Sequence, residues 1–196
     1  MDKMVFFNIA WMKYYRGVTS DDTPKCGGEY VEEKGFGSEV YNFQPYNSKM
    51  YGFVEAGWND GELLCNININ KLGAHRGDDR VSGILVVWVA RHGDHPGTVV
   101  VGWYENAIIH RERQNAPLGA NRKLPDGEDA IYFAEADQQN CRLIPSNARN
   151  FNIQRARKGG IGQKNIWYAN SQFGKKVKTE ILEYIKSWEN RVVSNE

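Results

Sequence analysis

Two neighbouring stretches, residues 83–91 (GILVVWVAR) and 97–105 (GTVVVGWYE), consist mainly of β-branched and aromatic residues. Only His92, Gly93, Asp94, His95 and Pro96 separate them, ending in a Pro-Gly step. Side chains of this kind pack well on a pleated surface, and a polar link this short leaves room only for a reversal. The stretches are therefore expected to pair as central antiparallel strands, with residues 107–110 continuing after a bend.

Around this pair the chain reads as further β-structure. Residues 5–11 (VFFNIAW) form an apolar, aromatic run suited to a buried strand. Residues 40–44 and 50–55 flank Pro45, Tyr46, Asn47 and Ser48, a turn-like link that predicts a hairpin. Residues 65–70 (CNININ) alternate apolar and polar, the period of a half-buried strand. A short helix is expected at 29–34, and further strands at 130–134 and 165–169.

Near the end, Val177, Ile181, Tyr184, Ile185 and Trp188 fall on one helical stripe, with Lys178, Glu180, Glu183 and Lys186 off it. This predicts an amphipathic helix over 176–191 that covers the sheet. No repeat, low-complexity run or linker divides the 196 residues, so a single domain over 1–196 is expected. Its fold class is α+β: a mixed, mostly antiparallel β-barrel with flanking helices.

Several function classes drop out. The longest apolar run, 84–90, is far shorter than the roughly 18 residues of a membrane-crossing helix, and no secretory signal opens the chain, so no membrane association and a cytoplasmic location are expected. Cys26, Cys65 and Cys141 are odd in number and widely spaced, which predicts reduced thiols and neither a disulfide frame nor a metal site.

The net charge of +1 hides an asymmetry. Residues 138–178 hold Arg142, Arg149, Arg155, Arg157, Lys158, Lys164, Lys175, Lys176 and Lys178 without one acid. Such a single-sign stretch suits a surface that meets an anion such as a phosphate backbone.

Catalytic patterns are incomplete. Asp126 and Glu135 stand where a two-acid metal nuclease would carry them, but Ala136 and Asp137 follow where its lysine belongs. The His92–His95 link and His110 lack companion ligands, and Gly159, Gly160 and Gly162 precede a strand-like segment instead of a long helix. No catalytic residue, cofactor or metal is expected, although an enzyme acting on a small planar substrate through Asp126, Glu135 or a histidine stays open.

What stands out is a supply of aromatic rings beside polar residues. Flat rings can sandwich a nucleobase taken out of a helix, each stack contributing about 1–3 kcal/mol. Trp11, Tyr41, Trp58 and Trp103 are the candidates for such a pocket, and Arg155, Arg157, Lys158 and Lys164 for the nucleic-acid backbone.

With these pieces placed, the chain resembles the PUA-like superfamily, in particular its EVE and YTH branches, which read modified bases. Residues 5–11 look like the first strand of those domains. Both 39–43 with 49–54 and 83–88 with 98–103 look like their central hairpin, the second pair more closely. The chain departs from them at Ala10 and Trp11, where a lysine-serine pair is familiar, and after Gln114.

The resemblance implies a non-catalytic reader that flips 5-methylcytosine or 5-hydroxymethylcytosine of double-stranded DNA into an aromatic pocket. It also implies a fused or associated HNH nuclease, as in modification-dependent restriction enzymes. Recognition of a modified RNA base is the alternative.

Overall fold

The computed structural model describes residues 3–26, 36–59, 62–63, 65–92, 97–155 and 157–193. In chain order the strands are β1 (Met4–Ile9), β2 (Lys49–Gly52), β3 (Trp58–Asn59), β4 (Glu62–Leu63), β5 (Arg80–Arg91), β6 (Thr98–Asn115), β7 (Ile131–Asp137), β8 (Cys141–Leu143), β9 (Asn152–Ile153) and β10 (Ile166–Trp167). Helix α1 (Gln172–Val193) follows. The 29–34 helix expected from sequence lies outside the described residues.

The anticipated central pair is β5 and β6, antiparallel from Arg80 opposite His110 to Arg91 opposite Thr98. Strand β6 has 18 residues, and its second edge is shared in succession by β9, β8 and β7. Next to β5 lies β1, parallel to it, with β10 beyond; β2 lies outside β7. The eight-stranded sheet is thus mixed and mostly antiparallel. It is open: in the order β10-β1-β5-β6-β7-β2 its outer strands are not paired with each other, so the expected closed barrel is not formed among the described residues. Strands β3 and β4 form a separate ribbon.

Both faces of this sheet are covered. Val5, Phe7, Trp88 and Tyr104 point into one core with Phe43 and Phe133, whereas Phe6, Val87, Trp103 and Trp167 point into a second, closed by Val177, Ile181 and Ile185 of α1. Burial on both faces is why β1 and β5 read as near-continuous apolar runs. A register shift between Trp88 and Val89 leaves Val101 of β6 bulged. A one-residue bulge exchanges the faces that follow it, so Val99 and Val101 face the first core while Trp103 faces the helix.

Two sequence expectations are corrected. Residues 40–44 are not a strand: Ser38–Tyr41 is a 3-10 turn, and β2 pairs instead with β7. Fully buried Asn42 takes over the strand's role, its side-chain amide donating to the Phe53 carbonyl at 2.9 Å and accepting from the Phe53 N–H at 2.8 Å. Residues 65–70 form no strand: they meet β6 through an isolated bridge at Asn66, the Ile67 N–H donating to the Arg111 carbonyl at 2.7 Å and Arg111 Nη2 donating to Asn70 Oδ1 at 2.9 Å, before a 3-10 turn at Ile69–Leu72.

Gly52 lies under the first core's rings. A methyl there would sit 2.6 Å from Cη2 of Trp88 and 3.1 Å from Cε2 of Tyr104, so both buried rings must move. Gly52→Ala is expected to cost about 1–3 kcal/mol, seen as a lower urea midpoint with an unchanged slope.

Candidate nucleic-acid interface

Strand pairing brings the ends of β1, β5 and β9 and the start of β6 to one rim of the sheet. Ile9 lies opposite Ala90, Arg91 opposite Thr98, and Thr98 opposite Ile153. Residues just past these partners, Trp11, His92 and Arg155, are therefore gathered there although they are far apart in sequence.

β1 stops at this rim because side chains take over its backbone groups. The Ala10 N–H donates to Oε1 of Glu39 at 2.9 Å, and the Ala10 carbonyl accepts from the Tyr15 hydroxyl at 2.8 Å. Glu39 is only 6% exposed, and burial together with the charge of Glu55 pushes its carboxyl up to about 7 against the backbone N–H that favours ionisation. Beyond, Trp11 pairs with Lys25, and the Asp22 carboxylate accepts from the N–H groups of Lys13 at 2.6 Å and Tyr14 at 2.8 Å.

Arg149 completes the frame. It is 6% exposed and donates from Nη1 to the Met12 carbonyl at 2.6 Å, from Nη2 to the Lys13 carbonyl at 2.7 Å and from Nε to the Ile144 carbonyl at 2.9 Å. Its guanidinium lies 4.6 Å from the centre of the Trp11 ring and 5.8 Å from that of Tyr15. The partly buried Trp11 ring also meets His92 edge-on, with centroids 4.5 Å apart. Its orientation is therefore set before anything binds.

On the other face of the same rim, half-buried Arg155 donates from Nη1 to the hydroxyl of buried Thr98 at 3.1 Å. Burial and the charge of Arg91 both hold the Arg155 guanidinium below its ordinary range. No salt bridge joins either arginine to an acid among the described residues. Two neighbouring cations without an acid between them raise each other's energy, a cost that an approaching anion relieves.

The other sequence candidates fall in several places. Arg157 and Lys158 are exposed just beyond Arg155, with Arg157 over the Phe173 ring at 5.9 Å, and Lys164 is exposed on the turn after Ile161. Tyr41 packs against the first core and donates its hydroxyl to the Lys123 carbonyl. Trp103 is 1% exposed beneath the helix, on the face opposite Trp11, because the bulge in β6 turns it there. Trp58 is in the separate ribbon, and its side chain lies outside the described part. Trp11, Tyr41 and Trp103 thus do not converge on one cage.

Sequence reasoning counted Arg149 and Lys178 among surface cations, but both are buried. It did not single out Glu39, Asp22 or Arg91, whose positions depend on partners distant in the chain. Residues 93–96 of the His92–His95 link lie outside the described part. Asp126 accepts from the Glu128 N–H of its own turn at 3.1 Å, while Glu135 stands on β7 near His110 Nε2 at 3.7 Å and Lys49 Nζ at 3.9 Å. Among the described residues no group of three or more His, Cys, Asp or Glu side chains could hold a metal ion, and no helix is long and apolar enough to cross a membrane.

No family model, curated protein or solved structure matches this chain. The rim combines exposed cations with one flat ring held at the edge.

Proposed function

We propose that this chain is a non-catalytic nucleic-acid-binding module of the PUA-like, EVE/YTH kind, and that its target is double-stranded DNA carrying a modified cytosine. Arg91, Arg155, Arg157 and Lys158 hold the sugar-phosphate backbone, while Trp11 offers its face to a base displaced from the stack. In this reading a nuclease, on the same or another chain, acts on what the module has found.

The observation that carries the reading is that Arg91 and Arg155 both meet Thr98, one across the strand pair and one through its hydroxyl, at the rim that also presents Trp11 and His92. Phosphate contacts fix register, and base contacts supply discrimination. The rim has both kinds of group.

Fluorescence anisotropy with matched duplexes, unmodified or carrying 5-methylcytosine or 5-hydroxymethylcytosine, at two salt concentrations tests it. Tighter binding of one modified duplex is expected at both salts. Arg155→Gln should weaken all duplexes by a similar factor, about three- to tenfold, and lower the salt slope by about one, whereas Trp11→Ala should reduce the preference for the modified base. An absence of duplex binding overturns the reading. Tighter binding of a matched RNA moves it to the alternative, a modified RNA base.

A further inference from the structure

A cavity of about 680 Å³ lies away from that rim, where β7 passes through the 138–140 turn into β8. Phe43, Met50 and Leu143 supply its apolar lining, while Gln138 and Gln139 bring polar side chains and Arg16 and Arg142 bring the two positive charges. The carboxylate in the lining is Asp137; Glu105 also lies close enough to Arg142 and Cys141 to act on their charge, and burial keeps the Cys141 thiol neutral. The lining residues themselves carry two positive charges against one negative.

The Arg142 side chain is anchored, and the backbone beside Arg16 is held. Arg142 donates twice from Nη1, to the Gln139 carbonyl at 2.8 Å and to the Cys141 carbonyl at 2.9 Å, which orients the guanidinium and leaves Nε and Nη2 available. Arg16 is exposed, and the backbone on either side of it is tied down: Phe43 N–H donates to the Tyr15 carbonyl at 3.0 Å, and Gly17 N–H to the Val40 carbonyl at 2.9 Å. The Gln138 N–H donates to the Ser48 carbonyl at 2.8 Å and fixes the facing wall.

We infer that this cavity binds a nucleoside monophosphate, its phosphate on Arg16 and Arg142 and its base edge on the exposed Gln138 and Gln139 beside Leu143. A forked guanidinium matches phosphate oxygens in two bonds at once, a glutamine amide can both donate to and accept from a base edge, and the volume is within the range of small-ligand sites. None of these residues belongs to the rim, so the inference does not rest on the nucleic-acid reading.

Calorimetric titration of the full chain with deoxycytidine monophosphate, adenosine monophosphate, deoxycytidine and inorganic phosphate tests it. A monophosphate is expected to bind at least tenfold more tightly than the uncharged nucleoside and than phosphate alone. Arg16→Gln and Arg142→Gln should each weaken it about tenfold, Arg142→Lys should recover only part of the loss, and Arg155→Gln should leave it unchanged. Circular dichroism of each variant separates lost binding from lost fold, and Arg16, being exposed, provides the variant that leaves the core untouched.

Displacement of the bound nucleotide by a short duplex assigns the site to a nucleotide unit of a strand, and lack of displacement assigns it to the free mononucleotide. Absence of monophosphate binding at millimolar concentration, equal binding of phosphate alone, or sensitivity to Arg155→Gln instead of the cavity variants overturns the inference.

Discussion

Arg149→Ala is expected to destabilise the protein by about 3–5 kcal/mol, through the loss of one buried cation that ties the backbone at Met12 and Lys13 to that at Ile144. The guanidinium serves the carbonyls of Met12, Lys13 and Ile144 and lies under the rings of Trp11 and Tyr15. Alanine leaves those carbonyls without their donor and opens a cavity beneath Trp11. Lysine keeps the charge but cannot reach three carbonyls from a single ammonium with the same planar fork, so Arg149→Lys should recover less than half of the loss.

Urea unfolding measures the global effect. Hydrogen exchange at residues 11–25 measures the local one, and the two should move together. A cost below about 1 kcal/mol would show that the frame around Trp11 holds without Arg149.

The second large effect concerns pH. The Glu39 carboxyl has its folded value at about 7 against an ordinary 4.5, because burial and Glu55 oppose its charge. Between these values the folded chain binds more proton than the unfolded one, so this group makes stability fall as pH rises from 4.5 to 7 and adds no slope above that. A shift of this size is worth on the order of 3 kcal/mol at most.

Glu39→Gln keeps an oxygen to accept from the Ala10 N–H and has no charge to desolvate. It should therefore equal the parent near pH 4.5 and exceed it at pH 7.5 by an amount approaching that figure. His110 works in the opposite direction: burial lowers its pKa, with Glu135 opposing, so its share of stability declines on acidification below about 6.5. The difference in unfolding free energy between parent and Glu39→Gln, measured from pH 5 to 8, isolates Glu39. A flat difference curve would mean that Glu39 is already ionised in the folded chain at pH 5.

Much of the sheet was legible because its signals are local. The β5 and β6 pair shows in 83–91 and 97–105, β1 in 5–11, and α1 in its stripe, whose Val177, Ile181 and Ile185 are buried as expected. Where the reading failed, a distant partner had replaced the local preference. Residues 40–44 have strand-like composition, but Asn42 bonds Phe53 through its side chain, and the backbone turns instead.

The candidate interface divides in the same way. Its exposed cations, Arg155, Arg157 and Lys158, and its ring Trp11 could be picked out from a charge run and an aromatic beside polar residues. Trp103 could not be placed, because alternation along β6 is broken by a bulge that no residue type announces.

The sequence by itself determined which segments become the central strands and the closing helix, and that residues 138–178 carry cations without an acid. Periodicity and charge are properties of neighbouring residues and survive without any fold. Tertiary structure alone decided which cations face water, which ring stands at the rim and where a carboxylate is buried. Those outcomes depend on pairings such as Arg149 with Met12, Glu39 with Ala10 and Arg155 with Thr98. Burial and hydrogen bonding between residues far apart in the chain become definite only when the sheet brings them together.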